Sequence, residues 1–184
     1  MFEKFLKFFG ESDIIKMSEN PYNSFMTAFS GRQFGNGLLT AFLNGDINKW
    51  HANVYNAFPI TQGEFILFGH DWLGNCLGIA TDGQDKGNVV IFEIGTGEIL
   101  STGYDFQTFL NNEVPNNSNA SLSSTFYREW LNRKGAPVKY GRCIGYKIPL
   151  FMGGKDDITN LEDSDMDVYW NIISQVMTQI GTED

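Results

Sequence analysis

The strongest structural signal in the chain lies at residues 64–102, EFILFGHDWLGNCLGIATDGQDKGNVVIFEIGTGEILST. Four short runs in it are rich in β-branched and aromatic residues, and they begin near positions 64, 75, 88 and 98. Turn sequences separate the later runs, TDGQDKG at 81–87 and GTG at 95–97. Because consecutive strands joined by short turns pair antiparallel, the stretch predicts an antiparallel meander.

Helical spacing dominates before this stretch. Apolar residues recur every three or four positions over 2–9 and over 21–29, where Asn20-Pro21 opens the second segment. Leu38-Leu39 and Phe42-Leu43 have the same spacing. Asp46 is placed to cap a further helix that Pro59 ends. The first 58 residues are therefore predicted to be mostly helical.

The chain returns to helices and short strands after residue 102. The predicted elements are a helix capped by Asp105, a loop at Pro115–Asn119, a helix capped by Ser121 and ended by Gly135, a strand at Gly141–Leu150, an edge strand at Asn160–Glu162 and a final amphipathic helix over 166–180. Together the elements predict an α+β fold with a central antiparallel sheet and flanking helices. The length suits a single compact domain over 1–184, with a helical lobe at 1–58 and the sheet and C-terminal helices at 59–184.

The charge of the chain is uneven. The net charge is −9, residues 1–60 sum to zero, and residues 156–184 hold eight acids and no base. A protein that binds nucleic-acid phosphates directly needs the opposite balance, and so does one that binds an anionic membrane surface. The acidic surface instead favours a basic protein partner.

The cysteine and N-terminal patterns point to a cytoplasmic protein. Cys76 and Cys143 both lie in predicted strands and are expected to be reduced thiols, although one long-range disulfide stays open. No CxxC or Cys/His cluster predicts zinc. The N-terminal residues lack the apolar core of a secretion signal, and no apolar run reaches the length of a membrane span.

Catalytic and cofactor patterns are weak. His70 is followed by Asp71, but neighbours on a strand point to opposite faces. A hydrolase that uses His70 with Asp71 or Cys76 is therefore a rival hypothesis only, because it needs these side chains to converge and the predicted strands are expected to keep them apart. GTG at 95–97 joins strand to strand and does not fit a dinucleotide site. No cofactor is expected.

Seven acids are the candidate partner-binding residues: Asp156, Asp157, Asp163, Asp165, Asp167, Asp82 and Asp85. Asp163-x-Asp165-x-Asp167 has the alternate spacing of a calcium loop. However, Val168 and Ser174 stand where such a loop wants a glycine and a distal Glu, so no metal site is predicted. A solvated helix start is the simpler alternative to a partner-facing patch.

Trp72 lies in the loop between two predicted strands, beside His70. A tryptophan that closes the edge of the core is the commoner arrangement. An alternative is a small-ligand or regulatory domain with an apolar pocket near Trp72 and His70.

Several motifs resemble a known family. They include GNGLL at 35–39, FGHDWLGN at 68–75, FQTFL at 106–110, KYGRCIGYKIPLFMGG at 139–154 and DMDVYW at 165–170. The chain resembles bacterial type VI secretion immunity proteins that pair a GAD-like N-terminal part with a C-terminal immunity domain, a lineage similar to the SUKH superfamily. The resemblance covers about residues 30–180, and its motifs are glycines and aromatics.

The resemblance implies a SUKH-like α+β fold and a non-enzymatic role. Such a protein binds and inhibits a cognate toxin inside the producing cell. Many toxins attack nucleic acid and present basic clefts, so an acidic surface would cover a nuclease as a phosphate mimic.

Overall fold

A computed structural model of the protein describes residues 1–12, 18–59, 64–134 and 136–181. The strands are β1 (Gln33–Phe34), β2 (Leu39–Ala41), β3 (Phe65–Asp71), β4 (Cys76–Ala80), β5 (Asn88–Glu93), β6 (Glu98–Asp105), β7 (Arg142–Tyr146) and β8 (Leu161–Asp165). The helices are α1 (Glu3–Phe8), α2 (Pro21–Phe29), α3 (Ile47–Ala57), α4 (Phe106–Thr108), α5 (Val114–Leu122), α6 (Ser124–Lys134) and α7 (Met166–Gly181).

The first six strands form one antiparallel sheet in the order β1-β2-β3-β4-β5-β6. Each strand pairs with its neighbour in sequence, so the predicted meander over residues 64–102 is confirmed. Helices accompany the sheet, which confirms the α+β class. Strands β7 and β8 form a separate two-stranded ribbon.

The helix predicted from the spacing at 38–43 is wrong, because this segment contains β2. Thr40 lies opposite His70 of β3, and Ala41 lies opposite Gly69. All three β2 residues are buried, Thr40 included, so the strand lacks the alternation of buried and exposed residues that marks a half-exposed strand. Two short strands therefore interrupt the N-terminal region, which is less helical than its pattern indicates.

The other N-terminal helices are confirmed as α1, α2 and α3. Asn20 caps α2 by accepting a hydrogen bond from the Asn23 amide at 3.2 Å. Asp46, by contrast, makes no capping hydrogen bond to α3, because a 3-10 turn at Asn44–Asp46 leads directly into that helix. Among the described helices, none combines the length and hydropathy needed to cross a membrane.

The region after β6 follows the prediction in part. Asp105 caps α4, as expected, by accepting hydrogen bonds from the Gln107 and Thr108 amides at 3.0 Å. The loop predicted at Pro115–Asn119 is wrong, because this segment lies inside α5, which continues from α4 through a π-helical segment at Phe109–Glu113.

The next helix starts later than predicted. Ser121 belongs to α5, Ser123 ends α5 with a left-handed backbone, and α6 begins at Ser124. The predicted stop at Gly135 lies outside the described residues.

Both C-terminal strand predictions are confirmed with shifted bounds, the strand at Gly141–Leu150 as β7 and the strand at Asn160–Glu162 as β8. β8 runs through Asp165, so Asp163 lies in a strand and not at a helix start. α7 then begins at Met166. Its Tyr169 and Trp170 are buried, as the apolar stripe predicts.

Aromatic side chains build much of the core. Phe2, Phe5, Phe25, Phe29 and Phe34 are each at most 1% exposed and make mostly edge-to-face ring contacts with one another. A second cluster joins α3 to α7 through the Trp50 and Trp170 rings, whose centroids are 6.3 Å apart. This second cluster anchors α7 against the N-terminal half of the chain.

The turn between β3 and β4 connects the two halves of the chain by hydrogen bonds. The Trp72 carbonyl accepts from the Ile144 amide of β7 at 2.8 Å, and the Gly74 carbonyl accepts from Trp170 Nε1 of α7 at 2.8 Å. In return, Trp72 Nε1 donates to the Leu122 carbonyl at the end of α5, at 3.0 Å. The turn therefore fixes the C-terminal elements against the sheet.

Candidate partner-binding surface

Two of the five predicted C-terminal acids form ion pairs. Asp163 on β8 accepts from Arg142 Nε at 2.5 Å, and Asp167 in the first turn of α7 lies 3.0 Å from Lys49 Nζ. Both pairs are largely exposed, so each contributes little to stability. Their charges are nevertheless partly neutralised, which reduces what they offer to a partner.

The other three C-terminal acids hold local structure. Asp157 accepts hydrogen bonds from the Thr159 hydroxyl and amide, which lower the pKa of its carboxyl. Asp165 accepts from the Val168 amide at 3.0 Å and caps α7. Asp156 accepts from the Tyr146 hydroxyl at 2.6 Å. None of these bonds supplies a positive charge.

Asp82 and Asp85 lie in the turn between β4 and β5. Asp82 accepts from the Gly83 amide at 2.8 Å, and Asp85 accepts from the Ser101 hydroxyl of β6 at 2.6 Å. Together with Glu64 they rim a groove of about 190 Å³ whose wall includes Ile99. The predicted turn acids are thus brought beside strand β6.

Strand β6 stands at the end of the sheet order and is exposed along most of its length. Its apolar side chains Ile99, Leu100 and Tyr104 are 36%, 41% and 40% exposed. An edge strand offers backbone hydrogen-bonding groups to a partner, and the acids of the neighbouring turn give this edge a negative rim.

A polar cleft of about 260 Å³ lies where the sheet meets the C-terminal elements. Its lining comes from the β3–β4 turn, the β5–β6 hairpin, the α5–α6 junction, β7 and the loop that follows β7. The lining residues are Leu73, Asn75, Glu93, Gly95, Thr96, Asn119, Ser123, Phe126, Tyr146, Leu150 and Asp156. Two of them are acidic, and none of these described residues is Lys or Arg.

Glu93 is the half-buried carboxyl of this cleft. Burial raises its pKa, the negative charges of Glu98 and Asp156 raise it further, and a hydrogen bond from the Thr96 hydroxyl at 3.1 Å opposes the shift. Across the cleft, burial raises the pKa of the Tyr146 phenol, and its bond to Asp156 adds to that shift. The cleft is therefore short of positive charge.

Sequence reasoning missed most of this cleft. Glu93 gave one local signal, as the single charged residue that ends the apolar run VVIF at 89–92. Ser123, on the opposite wall, has φ +50°, a left-handed conformation that is strained for a residue other than glycine. The α5–α6 junction thus holds a strained backbone against the cleft.

His70 and Asp71 do not form an imidazole–carboxylate pair. His70 Nδ1 lies 2.9 Å from the Asp71 main-chain carbonyl, and burial lowers the pKa of His70 to about 4. The Asp71 carboxyl instead accepts from the amide and Nδ2 of Asn75, each at 2.9 Å. The strand geometry thus separates the two side chains, as expected.

Cys76 lies directly opposite His70 in the β3–β4 register, so the expectation that the strands hold these two apart is wrong. Both are nevertheless buried, at 0% and 2% exposure. Burial raises the pKa of the Cys76 thiol well above its usual range, whereas a nucleophilic cysteine needs a lowered one. Cys143 is also buried, and both cysteines are free thiols.

Trp72 has no exposed surface and packs against Phe126 and Tyr127 of α6. It therefore serves as a core side chain that joins the sheet to α6. His70 lines a different recess, of about 180 Å³, together with Lys49 and Asp167. Within the described ranges, no group of three or more His, Cys, Asp or Glu side chains is arranged to hold a metal ion.

Comparison with solved structures shows a similar fold in a protein of bacterial origin. The crystal structure of Atu4351 from Agrobacterium tumefaciens superimposes with a TM-score of 0.60 at 14% sequence identity. The match covers 95% of this chain and 89% of that one. No curated protein matches the chain.

Comparison with family models identifies one part of the chain. Residues 104–177, from the end of β6 through most of α7, contain the α5–α6 wall of the cleft and both strands of the ribbon. This segment matches the model described as T6SS immunity protein Tdi1, C-terminal, which supports a type VI secretion immunity family for the chain.

Proposed function

We propose that the protein is a type VI secretion immunity protein that binds a cognate toxin and neutralises it without catalysis. The observation that carries the proposal is the match of residues 104–177 to the immunity family model. The motifs at 139–154 and 165–170, which resemble the same kind of family, lie inside that segment. Inhibition by binding requires a complementary surface and no reactive group.

The toxin partner in this proposal has a basic surface. The chain has a net charge of −9. The candidate contacts are the seven acids at 82, 85, 156, 157, 163, 165 and 167. Asp163 and Asp167 already pair with cations, so we assign more weight to Asp82, Asp85, Asp157 and Asp165. Complementary charge increases the rate of encounter more than the lifetime of a complex.

A nuclease toxin fits this charge, because an enzyme that holds nucleic-acid phosphates needs a basic cleft that an acidic surface can cover. The proposal places the encounter in the cytoplasm of the producing cell, as the family resemblance implies. A GAD-like N-terminal part and a relation to the SUKH superfamily belong to the same proposal and rest on the resemblance of the motifs.

The test begins with co-purification of the tagged chain and the toxin candidate encoded beside it. Recovery of a stoichiometric complex that blocks the toxin's activity supports the function. If no candidate toxin binds and the purified chain retains a small molecule in native mass spectrometry, the immunity proposal is wrong and the ligand-binding alternative takes its place.

The acidic contacts are tested by two charge-matched double variants. Asp82→Asn/Asp85→Asn keeps the side-chain oxygens that accept from Gly83 and Ser101, so the turn should persist. Glu3→Gln/Glu19→Gln removes the same charge from exposed N-terminal positions. We expect the first variant alone to slow association several-fold at low salt, with the difference shrinking at high salt. Equal on-rates for both variants would remove the turn acids from the interface.

A further inference from the structure

We propose that the cleft between Glu93 and Asp156 receives a cationic side chain of the toxin, with arginine as the best match. This inference rests on the proposed function, since it names the contact that the toxin would make. It concerns a site that differs from the acidic turn and from the ion-paired acids described above.

The cleft offers acceptors and lacks a positive charge. Glu93 and Asp156 contribute carboxylates, and no Lys or Arg is found among the described residues that line the cleft. Within the part of the chain that the structure describes, the donors to these two carboxylates are hydroxyls, those of Thr96 and Tyr146. An arriving cation would offset the negative charge of Asp156, which helps to raise the pKa of Glu93, and would favour the ionised form of Glu93.

A third acceptor comes from Asn75, which is only 7% exposed and lines the cleft. Its Nδ2 donates to Asp71, which fixes the orientation of the amide. Its Oδ1 accepts no hydrogen bond from any part of the chain that the structure describes. Because Asn75 lines the cleft, its amide oxygen can accept from a ligand that brings N–H groups.

Arginine suits this set of acceptors better than a metal ion does. A guanidinium carries five N–H donors in a planar fork and can reach several acceptors at once. A divalent cation would need a tighter group of ligands, and the described residues hold no cluster of three metal-binding side chains. The cleft, at about 260 Å³, is large enough to hold the end of a long side chain.

The cleft lies partly within the segment that matches the immunity family model. The wall formed by Asn119, Ser123 and Asp156 belongs to the segment that matches the immunity family, whereas Asn75 and Glu93 come from the sheet. An anchor residue in a pocket of this kind is what commonly dominates the affinity of a protein interface.

The test compares Glu93→Gln with Glu98→Gln in binding to the toxin. Glu98 lies opposite Glu93 on β6 and is exposed, so the two variants change the net charge equally and differ in whether the acid lines the cleft. Glutamine keeps an oxygen that can accept from Thr96. We expect Glu93→Gln to weaken binding at least ~10-fold, mainly through faster dissociation, because it removes one partner of an enclosed charge pair. Glu98→Gln should change affinity by no more than about 3-fold.

A second variant and a spectroscopic signal distinguish a failure of this inference from a failure of the proposed function. Asp156→Asn retains the acceptor for Tyr146 and should weaken binding in the same way. In carboxyl-labelled protein, the ¹³C resonance of Glu93 should shift on addition of the toxin. Equal affinities for Glu93→Gln and Glu98→Gln would overturn the inference while leaving the proposed function in place. Failure of the wild-type chain to bind any toxin would overturn both.

A free small cation is the alternative ligand for the two carboxylates of the cleft. Argininamide or spermidine added without toxin tests it by the same Glu93 resonance. If either compound saturates that shift and toxin affinity does not depend on Glu93, the cleft binds a free cation and the toxin assignment is wrong.

Discussion

Replacing Asp71 with asparagine should change how the stability of the protein depends on pH. Asp71 is 4% exposed, and it accepts two hydrogen bonds from Asn75. Burial raises the pKa of its carboxyl from 3.8 to about 7, while the bonds from Asn75 lower it less than burial raises it. The folded chain therefore holds the Asp71 proton more tightly than the unfolded chain does.

The size of the effect follows from the two pKa values. A carboxyl with a raised pKa contributes stability that is complete below the unfolded pKa and is lost as the pH rises through the folded pKa. The shift from 3.8 to about 7 corresponds to roughly 4 kcal/mol at full ionisation. Between pH 5 and pH 8 the loss from Asp71 alone amounts to about 2.5 kcal/mol.

Urea unfolding followed by tryptophan fluorescence at pH 5, 6.5 and 8 measures this loss. His70 contributes an opposite trend, since its lowered pKa of about 4 costs stability as the pH falls below 6.5. That trend is present in both proteins, so the informative quantity is the free energy of unfolding of Asp71→Asn minus that of wild type. We expect this difference to rise by about 2.5 kcal/mol from pH 5 to pH 8.

The variant should keep the local structure. The Asn75 amide can turn over and accept from the new amide, while the Asn75 main-chain N–H still finds an oxygen. A difference that stays constant with pH would refute the reasoning. It would mean that Asp71 is already ionised in the folded chain at pH 5, with the two bonds from Asn75 outweighing burial.

Two further predictions concern packing. Gly145→Ala should destabilise the protein by about 2 kcal/mol, because the added Cβ would lie 2.5 Å from the Tyr169 ring. The control Gly45→Ala, with no atom within 4 Å of the added carbon, should stay within about 0.5 kcal/mol of wild type in the same urea titration, and equal losses would contradict the steric argument. Cys76 and Cys143 should react with a disulfide reagent rapidly in urea and very slowly in the native protein, because burial raises the pKa of both thiols. Fast native reaction would show that these strands open readily.

The sheet could be read from the sequence because its turns carry local signals. TDGQDKG and GTG mark chain reversals whatever the rest of the protein does. β2 could not be read in this way, since its three residues are all buried and its pairing with β3 is a tertiary contact. The helical spacing of the apolar residues over 38–43 therefore misled the prediction.

The loop prediction within α5 was wrong for a related reason. Its asparagines and Pro115 are typical of loops, but buried Val114 and Leu122 hold this segment against the core. Packing of a few apolar side chains outweighed weak local propensity, as is common for short helices.

The cleft could not be predicted from the sequence because the residues that line it are distant from one another in the chain. Asn75 and Asp156 are separated by the whole of β4 to β7, and each is unremarkable among its neighbours. The seven predicted acids were found by local charge density, which identifies surface patches. Charge density cannot identify a pocket assembled from single residues, and of the seven acids only Asp156 lines this cleft.

The hydrogen bonds of the β3–β4 turn constrain how such a protein can diversify by recombination. A crossover near residue 104 would join one parent's sheet to another parent's C-terminal half. The hybrid would keep its carbonyl acceptors at Trp72 and Gly74 only if that turn held the same backbone path. The C-terminal half would bring the matching donors at Ile144 and Trp170. Such hybrids are therefore expected to fold where the 71–75 turn is shared, and to yield unfolded chains where it is not.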